Sequence, residues 1–88
     1  MKLENYSTGV QMDLQNLVEY IAKNLVDDPS QVKVEVMESA NAITLELHVA
    51  PNDMGRVIGK SGRIANAIRT LVRVAAARDG KRVNLEIV

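Results

Sequence analysis

The sequence has no cysteine, no tryptophan and no phenylalanine. Without cysteine there is no disulfide scaffold, no Cys-containing zinc site and no thiol nucleophile. No apolar run approaches the roughly 18 residues that a membrane span needs, and the opening MKLENYSTGVQ lacks the apolar stretch of a signal peptide. These absences fit a cytoplasmic address with no membrane association. The aromatic content is two tyrosines, Tyr6 and Tyr20. That is too few to build the aromatic stacking platforms on which an RRM or a single-strand-binding OB-fold depends.

Net charge is absent too: 11 Lys and Arg balance 11 Asp and Glu. The balance conceals an asymmetry. Residues 1–50 carry three bases (Lys2, Lys23, Lys33) and eight acids, whereas residues 51–88 carry eight bases and three acids (Asp53, Asp79, Glu86). Between Met54 and Arg78 there are six bases and no acid. A local basic face steers a polyanion whatever the total charge. A dipolar, merely solvated surface accounts for the charge pattern equally well.

What the chain does contain is a strongly patterned single domain. Of its 88 residues, 47% are hydrophobic and 25% are charged, a globular composition with little room for an enclosed catalytic pocket. The first 11 residues are polar and aperiodic and are expected to form a disordered extension or leader, with residues 12–88 the folded domain and Met12 a candidate native start. Leu14, Leu17, Val18, Ile21 and Leu25 make one helical stripe, which should stop before Pro29. Val32, Val34 and Val36, then Ile43, Leu45, Leu47 and Val49, alternate with polar residues as two strands of a hairpin turning near Ser39–Asn41.

Pro51-Asn52-Asp53 opens a short helix reaching Ile58, with Asn or Asp available to cap its free N–H groups. A second helix follows, with the stripe Ile64, Ala67, Ile68, Leu71, Val72 and Ala75, and Asp79-Gly80 stops it. Val83, Leu85 and Ile87 alternate as a last strand. The element order is αββααβ, an α+β arrangement.

The informative segment runs from Met54 to Ile64. Gly59 and Gly62 bracket Lys60-Ser61 between two short helices. Glycine reaches backbone angles other residues avoid and lets another backbone come close. Loop amides and the start of the next helix are expected to point outward with partial positive charge. Lys60 and Arg63 add full charges. The assembly suits phosphates.

Val57-Ile58-Gly59-Lys60-Ser61-Gly62 resembles the GXXG signature of KH domains, whose loop clamps the backbone of about four nucleotides. With the element order, residues 12–88 resemble the small stand-alone bacterial KH proteins of the KhpA (YlqC-like) family. The resemblance implies a type II, prokaryotic KH domain. Its mixed three-stranded sheet would carry three helices on one face, with the second strand central, antiparallel to the first and parallel to the third. It also implies single-stranded RNA as ligand, with Gly59, Lys60, Ser61 and Gly62 on the RNA backbone, Arg56 and Arg63 flanking the path, Val57 or Ile58 as an apolar floor for a base, and Gly55 also among the RNA-binding residues. No catalysis, cofactor or metal is implied. The family is understood to self-associate and to pair with a larger multidomain KH protein, KhpB (Jag or EloR). The pair acts as an RNA chaperone and post-transcriptional regulator linked to cell elongation, cell shape and peptidoglycan homeostasis. One position departs from the KH pattern. The isoleucine usual three residues after the second glycine is Ala65 here, with Ile64 or Ile68 available to fill the same space.

Other readings of the same residues are weaker. Gly55 to Ser61 resembles the P-loop GxxxxGK[ST] but is one residue short and lies between helices rather than after a strand. His48, the only histidine, falls on the polar phase of a strand, and Asp27-Asp28 before Pro29 read as a helix-end turn. Arg69 and Arg73, one turn apart, are either solvated charge or an extension of the RNA track. A KH-fold protein-interaction scaffold without direct RNA binding remains the alternative function.

Overall fold

The computed structural model describes residues 10–78 and 80–88. Helix α1 spans Val10–Leu25 and leads through a 3-10 turn at Pro29–Gln31 into β1 (Lys33–Glu38) and β2 (Ala42–His48). A 3-10 turn at Pro51–Asp53 enters α2 (Met54–Ile58), a second at Lys60–Gly62 joins it to α3 (Arg63–Ala77), and β3 (Arg82–Ile87) closes the chain. α1 begins at Val10, two residues ahead of the Met12 where the sequence pattern starts. The rest of the expected extension, residues 1–9, lies outside the described residues.

The sheet order is β1-β2-β3. β2 is central because it is the most apolar strand: Ile43, Leu45 and Leu47 alternate inward and are fully buried, each contributing about 1.5–3 kcal/mol through its side chain. β1 pairs with it antiparallel, Val34 opposite Leu47. β3 pairs with it parallel, Leu85 opposite Leu45. Leu14, Val18 and Ala22 of α1 and Ile68, Val72 and Ala76 of α3 complete the core over one face of this sheet. The other face carries Lys33, Glu35, Asn84 and Glu86, all exposed, and the half-buried Thr44, Glu46 and His48.

Each outer edge of the sheet is guarded by one side chain from a helix. The amides of Arg82 and Val88 donate to Asn41 and Leu47 of the β2 side, so the backbone groups of the alternate residues Val83, Leu85 and Ile87 face outward. Arg69 Nε donates to the outward Leu85 carbonyl at 3.2 Å. On the opposite edge Gln15 Nε2 donates to the Val34 carbonyl at 2.8 Å. Such contacts blunt edges that would otherwise template pairing with another chain.

Two expectations need correction. α3 buries Ala65, Ile68, Val72 and Ala76, not the stripe that includes Ala67 and Leu71, and Leu71 is 52% exposed. Apolar residues cover more than half of this helix, so periodicity alone does not choose the face. The inward positions are those whose small Ala65 and Ala76 let the helix settle close to its neighbours. Ala65 itself, the departure from the KH pattern, is therefore a core residue. The second correction concerns Asp53, which caps nothing in α2. Its carboxylate accepts the N–H groups of Asp27 at 3.0 Å and Asp28 at 3.1 Å, tying the end of α1 to the start of α2.

Candidate nucleic-acid interface

α2 is too short to bury a stripe, so its role is to carry the chain to Gly59. There the Gly59 N–H closes on the Gly55 carbonyl at 2.8 Å. Gly59 has φ 76° and ψ 172°, a region open to glycine alone. Ser61 follows at φ 58°, the one non-glycine residue with positive φ among those described, and Gly62 at φ 76°. The Gly62 N–H returns to the Gly59 carbonyl at 3.1 Å, and the Arg63 N–H to the Lys60 carbonyl.

These bonds revise the expectation that all the loop amides point outward. Gly59 and Gly62 use theirs to close the turns. Among the described residues, the amides of Lys60 and Ser61 have no acceptor, and both residues are exposed. Behind them α3 follows its N-cap, Gly62, with no side chain capping it. The positive end of its dipole adds potential at the same spot.

The cations sort into two groups. Lys60 and Arg63 are exposed and make no ion pair within the described residues. Arg56, also expected on the RNA path, is held at Nη2 by Asp27 Oδ2 at 3.1 Å and at Nε by Asp53 Oδ1 at 3.8 Å. Arg69 is not plain solvated charge: it bonds the Leu85 carbonyl and, through Nη1, Asn66 Oδ1 at 3.2 Å. Arg73 remains exposed.

Val57 is fully buried, which removes it from the surface and leaves Ile58, 37% exposed, as the apolar side chain beside the loop. Gly55 is exposed, and a Cβ there would meet nothing within 4 Å. Asp53, 2% exposed, is the buried acid on which Asp27, Asp28 and Arg56 converge. Sequence reasoning missed that role because the partners lie some 25 residues apart with no local signature.

The side chains most able to share a metal ion lie elsewhere. Glu35, Glu46 and His48 bring ligand-type atoms within 4.8 Å of one another on the open face of the sheet. Their register supplies a simpler account. Glu35 faces Glu46 across the hairpin, and His48 Nε2 stands 3.2 Å from the Glu35 carboxylate and 3.8 Å from that of Glu46, so strand pairing by itself brings the three together. A shallow depression of about 390 Å³ lies at the far end of α3, and its lining among the described residues, Asn41, Ala42, Gly80 and Arg82, includes no nucleophile, histidine or carboxylate.

A mixed three-stranded sheet under three helices, with a glycine-bracketed basic turn between the second and third, defines a type II KH domain. Residues 15–87 match the family model described as KhpA/KhpB, KH domain. The chain belongs to that family. It is 53% identical over 75 residues to "RNA-binding protein KhpA" of Clostridium acetobutylicum, covering 85% of this chain and 100% of that one. It is 57% identical over 72 residues to the protein of the same name from Caldanaerobacter subterraneus, covering 82% and 96%. None of these names describes an enzyme. Among solved structures, Era in complex with MgGDPNP and nucleotides 1506-1542 of 16S ribosomal RNA has the same fold in part, with a TM-score of 0.63 at 23% identity. That match covers 84% of this chain and 28% of the Era chain. No helix among the described residues is long and apolar enough to cross a membrane.

Proposed function

We propose that this protein binds single-stranded RNA by clamping the sugar–phosphate backbone against the turn from Gly59 to Gly62 and performs no chemistry on it. The observation that carries the reading is the pair of exposed amides at Lys60 and Ser61, with no acceptor among the described residues, beside the Lys60 and Arg63 cations, which form no ion pair among those residues. Phosphate oxygens satisfy both kinds of group at once. Ile58 supplies the apolar contact for a base. The relatives' shared name, RNA-binding protein KhpA, supports the same ligand. One such module grips about four nucleotides, so useful affinity calls for pairing of modules. In this reading the protein works in the cytoplasm as an RNA chaperone and regulator, as a homodimer or with a larger KhpB-type partner, in the control of cell elongation and peptidoglycan homeostasis.

A second reading, protein docking without RNA, is favoured by one observation: Leu71 and Val74 stand 52% and 59% exposed on the outer side of α3. The two roles are compatible. A gel-shift assay on short single strands separates them. Replacing Lys60 and Ser61 together by Asp leaves the fold intact, because the loop is exposed and Asp tolerates the positive φ of Ser61. Loss of at least about tenfold in affinity is expected from acids set against phosphates. Unchanged RNA affinity in that variant leaves the docking reading alone.

A further inference from the structure

Arg56 stands three residues ahead of Gly59 and is already engaged. Its Nη2 lies 3.1 Å from Asp27 Oδ2. This is more than a chance meeting of two mobile side chains, because Asp53 fixes both ends. The Asp53 carboxylate is 3% exposed, it accepts the Asp27 and Asp28 amides, and its Oδ1 lies 3.8 Å from Arg56 Nε. The backbone from which Asp27 extends and the helix from which Arg56 extends are thus held by one buried acid. Lys60 and Arg63 are exposed and form no ion pair among the described residues.

A carboxylate on a guanidinium presents the charge and the paired oxygens that a phosphate presents. Arg56 and Lys60 are four residues apart, no more than about 14 Å along even an extended chain, so a strand held at the loop passes within reach of the long Arg56 side chain. Both members of the ion pair are accessible to it: Arg56 is 56% and Asp27 75% exposed.

We propose that Asp27 is an intramolecular competitor of phosphate at Arg56, occupying the guanidinium in the free protein and lowering the affinity of the clamp. This rests on the RNA-clamping reading above. An exposed pair is weak, so phosphate displaces Asp27, at a cost of about two- to fivefold in affinity. The competitor also makes the α1 side of the loop acidic, which leaves Lys60 and Arg63 as the strongest anchors.

The test is the dissociation constant of the full chain for a labelled pool of single-stranded RNA of about eight nucleotides, twice the span of one clamp. Asp27→Asn removes the competing charge and keeps the backbone amide that Asp53 binds. Asp28→Asn is the control. It removes an equal charge one residue on, from a carboxylate that bonds Ser30 rather than Arg56. Circular dichroism checks that both variants stay folded. Asp27→Asn is expected to tighten binding about two- to fivefold, Asp28→Asn clearly less, and the gain is expected to vanish when Arg56→Ala is added. Equal gains from the two asparagine variants, or a gain from Asp27→Asn that survives Arg56→Ala, overturn the proposal while leaving the clamp standing. If the unaltered protein fails to bind the pool, both readings fall together.

Discussion

The backbone of Gly59 passes so close to Ile64 that a Cβ built at Gly59 would lie 2.6 Å from Ile64 Cγ1. The contact joins the last turn of α2 to the first turn of α3 and so sets the opening of the loop between them. It leaves position 59 no alternative to glycine, for reasons of space and of backbone angle together.

Gly59→Ala is therefore expected to destabilise the fold by about 2–4 kcal/mol, from the strained backbone angle plus the clash. Gly55→Ala, four residues earlier and inside α2, is expected to be neutral or stabilising by up to about 1 kcal/mol. It has open space around the new Cβ and the usual gain of Ala over Gly in a helix. Urea denaturation of the two variants measures the difference. Equal losses would contradict the account of Gly59.

The rotation of α3 relative to its sequence stripe gives a second contrast. Ile68 is 2% exposed and Leu71 is 52% exposed. Ile68→Glu puts an unpaired carboxylate into the core and is expected to cost more than about 4 kcal/mol, enough to unfold a domain of this size. Leu71→Glu is expected to stay within about 0.5 kcal/mol of the unaltered protein in dilute solution. Thermal melts followed by circular dichroism at low protein concentration check both. A collapse of the Leu71 variant would mean that the inward face runs through Leu71 after all.

The strands were legible in the sequence because half-buried strands advertise themselves by strict alternation, as Ile43, Leu45 and Leu47 do. The glycine-bracketed loop was legible because its two glycines and its cations are adjacent in the chain. What escaped was decided by tertiary contact. The buried face of α3 was ambiguous because residues from Ile64 to Ala77 are apolar on several sides. The choice between Val57 and Ile58 turned on which side of a five-residue helix meets the core, and five residues carry too little periodicity to tell. Asp53 looked like a local cap and is instead a long-range acceptor. The internal use of the Gly59 and Gly62 amides follows from turn closure, which depends on backbone angles that residue identity permits without dictating.

That last detail makes the central claim measurable one amide at a time. In an NMR titration of the labelled full chain with short single-stranded RNA, the amide resonances of Lys60 and Ser61 are expected to shift most, ahead of those of Gly59 and Gly62, whose N–H groups stay bonded within the loop. Shifts centred on another surface, such as the outer side of α3 around Leu71 and Val74, or no shifts at any RNA concentration, would contradict the clamp.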